Sequence, residues 1–177
     1  MKDYQFEVCA NSVESCIAAQ AGGADRVELC VGIPEGGTTP SYGDILIARE
    51  ALQQTKLHII VRPAVGDFLY SSTEQRIMLK DIENARRLGA DGVVFGCLTA
   101  EGDVDIPLME QLMEASQGMS VTFHRAFDVC RNPRKAIEDI IELGCNRILT
   151  SGQQPTAERG IPLLETNSNN KHQTESS

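Results

Sequence analysis

The sequence contains no tryptophan, and its aromatic content is only 5%. Positive charge is scarce too: 16 Lys and Arg stand against 25 Asp and Glu, a formal net charge of −9 over 177 residues. That balance argues against a nucleic-acid or anionic-membrane partner, both of which need clustered basic side chains. No apolar run approaches the roughly 18 residues of a membrane span. The opening residues, Met1-Lys-Asp-Tyr-Gln-Phe-Glu-Val8, lack the apolar stretch of a secretion signal. The six cysteines (Cys9, Cys16, Cys30, Cys97, Cys130, Cys145) show no C-x-x-C and no paired zinc spacing, so most of them read as small buried hydrophobes. These absences predict a cytoplasmic protein with a small-molecule or metal ligand, and leave a homo-oligomer open. A hydrophobic content of 41% excludes wholesale disorder.

What is present is an alternation of short β-branched runs with longer helical patterns, the signature of βαβ units around a parallel sheet. Strands are predicted at residues 5–9, 26–30, 57–62, 92–96, 120–124 and 147–150. Helices are predicted at 13–21, 42–54, 72–88, 106–116 and 133–143. Ser41 with Asp44, and Ser71 with Glu74, have capping-box spacing, and Asn132-Pro133 pairs an N-cap with proline at the first helical position. Three helix-to-strand junctions repeat: Gly23-Ala-Asp-Arg-Val-Glu-Leu29, Gly89-Ala-Asp-Gly-Val-Val-Phe95 and Gly144-Cys-Asn-Arg-Ile-Leu-Thr150. A repeating (βα)₂ unit is what a TIM (β/α)₈-type barrel leaves in sequence. An open doubly wound sheet is the alternative, but no G-x-G-x-x-G opens the first helix. Residues 165–177 contain no apolar side chain and predict a polar disordered tail, so residues 1–164 form an incomplete barrel of about six of eight βα units.

Period-two alternation sorts the strand side chains. Glu7 and Cys9, then Arg26, Glu28 and Cys30, then His58, Ile60 and Arg62, form polar or mixed sets that should face the barrel interior. Two readings of this charged interior stand side by side. One is a structural ion-pair network in a non-catalytic barrel. The other is a lyase or isomerase acting on a small anionic metabolite by Glu/His acid–base chemistry. In the second, Glu7 or Glu28 is the general base, Arg62 and Arg125 clamp a carboxylate or phosphate, and His124 shuttles a proton. Asp128 is either catalytic or a capping residue, and His58 is predicted to be a hydrogen-bonded core histidine. The Gly-rich loop 32–41 has backbone N–H groups that an anion would suit. Cys9 and Cys30 end adjacent strands in the same phase, which leaves two readings open, a soft sulfur site suited to Cu(I) and simple burial. Met109 and Met113 read as a core face.

The chain resembles the CutC family, often labelled copper homeostasis proteins. The stretches that carry the resemblance are Gly22-Gly-Ala-Asp-Arg-Val-Glu-Leu-Cys30, Glu35-Gly-Gly-Thr-Thr-Pro-Ser41, Gly66-Asp-Phe-Leu-Tyr-Ser71, Asp91-Gly-Val-Val-Phe-Gly96, Val121-Thr-Phe-His-Arg-Ala-Phe-Asp128 and Ile148-Leu-Thr-Ser-Gly152. The resemblance implies a TIM barrel, a cytoplasmic location and a tie to copper tolerance through Cu(I) binding. It implies a site at Glu7, Glu28, Arg62, His124, Arg125 and Asp128, with Cys9 and Cys30 as copper ligands. Where the family commonly has Arg-Pro-Arg, this chain has Arg62-Pro63-Ala64. The family's last two βα units have no counterpart after Leu164. The expectation is a truncated form of reduced stability and activity, which comparable urea midpoints with and without those units would refute.

Overall fold

The computed structural model describes residues 4–174. Strand and helix alternate throughout: β1 (Glu7–Ala10), α1 (Val13–Ala21), β2 (Arg26–Leu29), α2 (Tyr42–Ala51), β3 (Lys56–Ile60), α3 (Ser72–Arg87), β4 (Gly92–Phe95), α4 (Ile106–Ala115), β5 (Ser120–Phe123), α5 (Pro133–Glu142), β6 (Arg147–Ile148) and α6 (Ala157–Thr174). Every neighbouring pair of strands is parallel, and their order across the sheet is their order in the chain. Residues of β1 and residues following β5 and β6 line one cavity, so the sheet is curled into a half-barrel with helices between its strands. That is the TIM-barrel pattern carried through six βα units.

Local chemistry sets the element ends. Ser41 with Asp44, and Ser71 with Glu74, form reciprocal capping boxes at α2 and α3, and Asn132 caps α5 ahead of Pro133. The repeated glycines Gly23, Gly89 and Gly144 adopt φ values of 83°, 82° and 81°. This left-handed conformation ends a helix at little cost only for glycine. The acid or amide two residues later has its own task. Asp25 accepts from the Phe6 N–H, Asp91 from the Leu57 N–H and Asn146 from the Val121 N–H. The repeat therefore ties each odd-numbered strand to the junction of the next unit.

The two faces of the sheet bury different chemistry. Val27, Leu29, Leu57, Ile59, Val93, Phe95, Val121 and Phe123 face the helices and pack with Met78, Ile82, Met109, Leu112 and Ile140 in one large apolar core. The concave face holds only a small apolar cluster, Cys30, Ile60 and Val94. Around it lie buried Arg26, Glu28, His58, Arg62, Thr122 and His124. The ladder register aligns Cys9, Glu28, His58 and Gly92 in one row across the sheet, as period-two sorting predicts.

Three details differ from expectation. The first strand begins at Glu7, and Phe6 is half-exposed because it precedes the ladder at the sheet edge. Helix α6 runs to Thr174 through the segment whose composition predicts disorder. Extending a helix that already exists adds one backbone bond for each residue ordered, so polarity alone does not end it. The remainder of the expected tail, residues 175–177, lies outside the described residues. The third difference concerns His58, which is buried as expected but has no hydrogen-bond partner on either ring nitrogen among the described residues.

Candidate functional site

A cavity of about 580 Å³ opens at the C-terminal ends of the strands. Its lining includes every residue singled out from the sequence as a candidate: Glu7, Cys9, Glu28, Cys30, Arg62, His124, Arg125 and Asp128. The fold thus brings the whole set together. What each side chain does there varies.

Cys9 and Cys30 sit side by side, with their sulfurs 3.5 Å apart. The hydrogen bond between them raises the Cys9 thiol and lowers that of Cys30, so Cys30 is the readier thiolate. The Cys9 Sγ also lies 3.9 Å from the Glu28 Oε1, and the Cys30 Sγ lies 3.6 Å from the Ala10 carbonyl. Glu28 is buried, with Oε2 unpartnered, and burial followed by the nearby Cys9 and Glu7 pushes its carboxyl up to about 8. Deeper in the barrel, Glu7 pairs with Arg26, which also donates to the Gln5 amide oxygen. A second ion pair, Arg125 with Asp128, lies at the mouth of the same cavity.

Arg62 is 4% exposed, and its guanidinium donates to three backbone carbonyls: Glu35 and Gly37 from NH1, and Gly66 from NH2. Two loops are therefore fastened to one side chain. The left-handed glycines Gly36 (φ 90°) and Gly37 (φ 83°) shape the first of these loops beside the guanidinium. That Gly-rich loop uses its own N–H groups internally: Glu35 and Gly37 donate to the Gly32 carbonyl, Gly36 to Ile33 and Thr38 to Val31. It therefore offers carbonyls to an arginine, where the sequence suggested amides for an anion. Arg62 Nε remains buried without a partner, and no carboxylate pairs with the guanidinium among the described residues.

His124 follows β5 and is 4% exposed. Its Nδ1 accepts from the Ala126 N–H, which leaves the proton of the neutral ring on Nε2, and Nε2 has no partner. Burial, reinforced by the Arg62 charge, lowers its pKa to about 3. Its neighbour Arg125 points to the mouth, donating to Asp128 and to the Ser151 hydroxyl. Asp128 also accepts from the Thr150 hydroxyl and from the Ser151 and Gln153 amides, so it ties the segment after β6 to the turn after β5. Burial works against its charge, but these hydrogen bonds outweigh it and hold the carboxyl below its ordinary range.

Sequence reasoning missed Phe68. Its ring packs against both residues with orphaned donors, 4.8 Å from the His124 ring and 5.0 Å from the Arg62 guanidinium carbon. Only its place in the matching stretch Gly66-Asp-Phe-Leu-Tyr-Ser71 hinted at a role.

The model of the CutC family matches residues 4–173. The chain belongs to the CutC family. A CutC family protein of Bacteroides thetaiotaomicron is 77% identical over 165 residues, covering 93% of this chain and 66% of that protein. A CutC family protein of Parabacteroides distasonis is 60% identical over 159 residues, covering 90% of this chain and 65% of that protein. The chain thus spans about two thirds of the length of these relatives. Among solved structures, CutC from Streptococcus agalactiae, whose name ties it to copper homeostasis, superposes with a TM-score of 0.89 at 34% identity. That match covers 93% of this chain and 81% of the other, so the half-barrel is shared with CutC and is not peculiar to this sequence.

Proposed function

We propose that this protein serves copper homeostasis by holding Cu(I), as cargo, between Cys9 and Cys30. The observation that carries the reading is the 3.5 Å approach of the two sulfurs at the cavity mouth. Soft thiolates favour Cu(I), and a pair of them falls short of the four ligands of a structural zinc site. Among the described residues no group of three or more His, Cys, Asp or Glu side chains is arranged for a metal, so the donor set is the sulfur pair itself. The copper-homeostasis name of the Streptococcus agalactiae relative supports the reading. It assumes a reducing, cytoplasmic compartment, where thiols persist. No helix in the described residues is long and apolar enough to cross a membrane.

Anaerobic titration with Cu(I) against a competing chelator tests it. One-to-one binding that is lost in both Cys9→Ser and Cys30→Ser is the expected result. Absent binding, or binding unchanged by both substitutions, overturns the reading.

A second reading, a barrel enzyme working on a small anionic metabolite, is favoured by one observation. The buried guanidinium of Arg62 faces the cavity region without a carboxylate partner.

A further inference from the structure

We propose that Arg62 and His124 form a binding site for a small oxyanion, a carboxylate or phosphate group, whose place is now filled by the ring of Phe68. The proposal supplies the ligand class for the enzyme reading. It does not depend on copper.

Two buried donors in the cavity wall are anomalous. Nearly all buried polar groups in folded proteins find a partner, because a desolvated group left unpaired is costly. Arg62 Nε and His124 Nε2 are both buried and both unpaired. Both residues flank the same ring, with Phe68 centred 4.8 Å from His124 and 5.0 Å from the Arg62 guanidinium carbon.

The chemistry of the two atoms is also the same. Arg62 Nε is a donor only. His124 Nε2 carries the ring proton, because Nδ1 accepts from the Ala126 amide. Two N–H groups left without an acceptor among the described residues suit an acceptor-only ligand, which a carboxylate or phosphate oxygen is. Positive charge favours the same ligand. The three carbonyls, the Phe68 ring and the Tyr70 hydroxyl that neighbour the Arg62 guanidinium are all neutral, so they position it without supplying an opposite charge. Burial keeps His124 neutral, so its Nε2–H is a fixed donor and needs no protonation to serve.

The Phe68 carbonyl is held by the Leu98 N–H, while the residues around it lie at the surface. Val65, Gly66, Asp67 and Leu69 around Phe68 are exposed, and Gly66 has φ 111°, a conformation open mainly to glycine. Arg62 itself donates to the Gly66 carbonyl, so an anion on the guanidinium acts on the loop that carries the ring. The adjoining cavity of about 580 Å³ has room for the rest of a small metabolite.

The test uses isothermal titration of the copper-free protein with inorganic phosphate, with oxalate and with glycerol as a neutral control. The variants are Phe68→Ala and His124→Phe, with circular dichroism confirming their fold. The expected result is saturable binding of phosphate or oxalate but not glycerol, at least several-fold tighter in Phe68→Ala. Loss of one donor to a charged acceptor in His124→Phe should weaken that binding about 10-fold or more. The anion that binds more tightly identifies the group as phosphate or carboxylate. No binding to either wild type or Phe68→Ala at millimolar concentration overturns the proposal. So does binding that neither substitution alters. Because the titration contains no copper, its failure leaves the Cu(I) reading standing, and failure of Cu(I) binding leaves this proposal standing.

Discussion

Val27 and Glu28 are neighbours on one strand, yet their side chains enter different environments. Val27 joins a continuous apolar layer beneath the helices, while Glu28 enters a concave face crowded with arginine, histidine and thiol groups. The outer face follows the ordinary logic of stability, with each fully buried aliphatic or aromatic side chain contributing roughly 1.5–3 kcal/mol. The inner face runs against it. Glu28, His58, Arg62 and His124 each bury a polar atom without a partner. The difference teaches that the helix-facing layer holds the half-barrel together, while the concave layer is a cost it sustains.

The largest effect should come from the outer face. Phe123 is fully buried there, and Phe123→Ala should cost about 3–5 kcal/mol in urea unfolding. A cost below about 1 kcal/mol would show that the outer layer is not the stabilising one. Second comes the mouth, where Asp128→Ala removes an acceptor of several charge-assisted bonds and should cost about 2–3 kcal/mol.

At the centre of the concave face the sign reverses. His58→Leu deletes two orphaned nitrogens and should stabilise by about 1 kcal/mol at neutral pH. Burial, then the charges of Arg26 and Arg147, lowers His58 to about 3 in the folded protein. Its contribution is therefore present above pH 6.5 and lost as pH falls toward 3, and His58→Leu should flatten that acid limb. Glu28 behaves oppositely. Its folded pKa is raised to about 8, so its contribution is present below pH 4.5 and fades as pH rises through 8. Glu28→Gln should remove that alkaline decline, with the smallest effect of the four at pH 5. Urea midpoints measured from pH 4 to pH 9 check both slopes, and identical profiles for wild type and both variants would erase the contrast between the faces.

Much of this was legible in the residues. The alternation Arg26-Val-Glu-Leu-Cys30 reads as a strand with one polar face, and the three glycine junctions mark the repeating unit, because both signals depend on a few neighbouring residues. The meeting of Cys9 with Cys30 also followed, since adjacent parallel strands in the same phase bring their ends together. Other features were not legible. The sequence offers Arg62 as an anion clamp, and nothing local shows that its guanidinium also holds the carbonyls of two loops. Asp128 reads in sequence as catalytic or capping, and its role as acceptor for residues more than twenty positions later was not visible there. The Gly-rich loop resembles an anion cradle, yet its amides close on itself.

The sequence alone determined the periodicities, the caps and the inward polar set, for these follow from backbone geometry repeated every few residues. Only the tertiary structure decided which polar atoms find partners. Partnering depends on where the curl of the sheet and the paths of separate loops bring atoms distant in the chain. Phe68 is the clearest case: nothing local predicts that one phenyl ring packs against both Arg62 after β3 and His124 after β5.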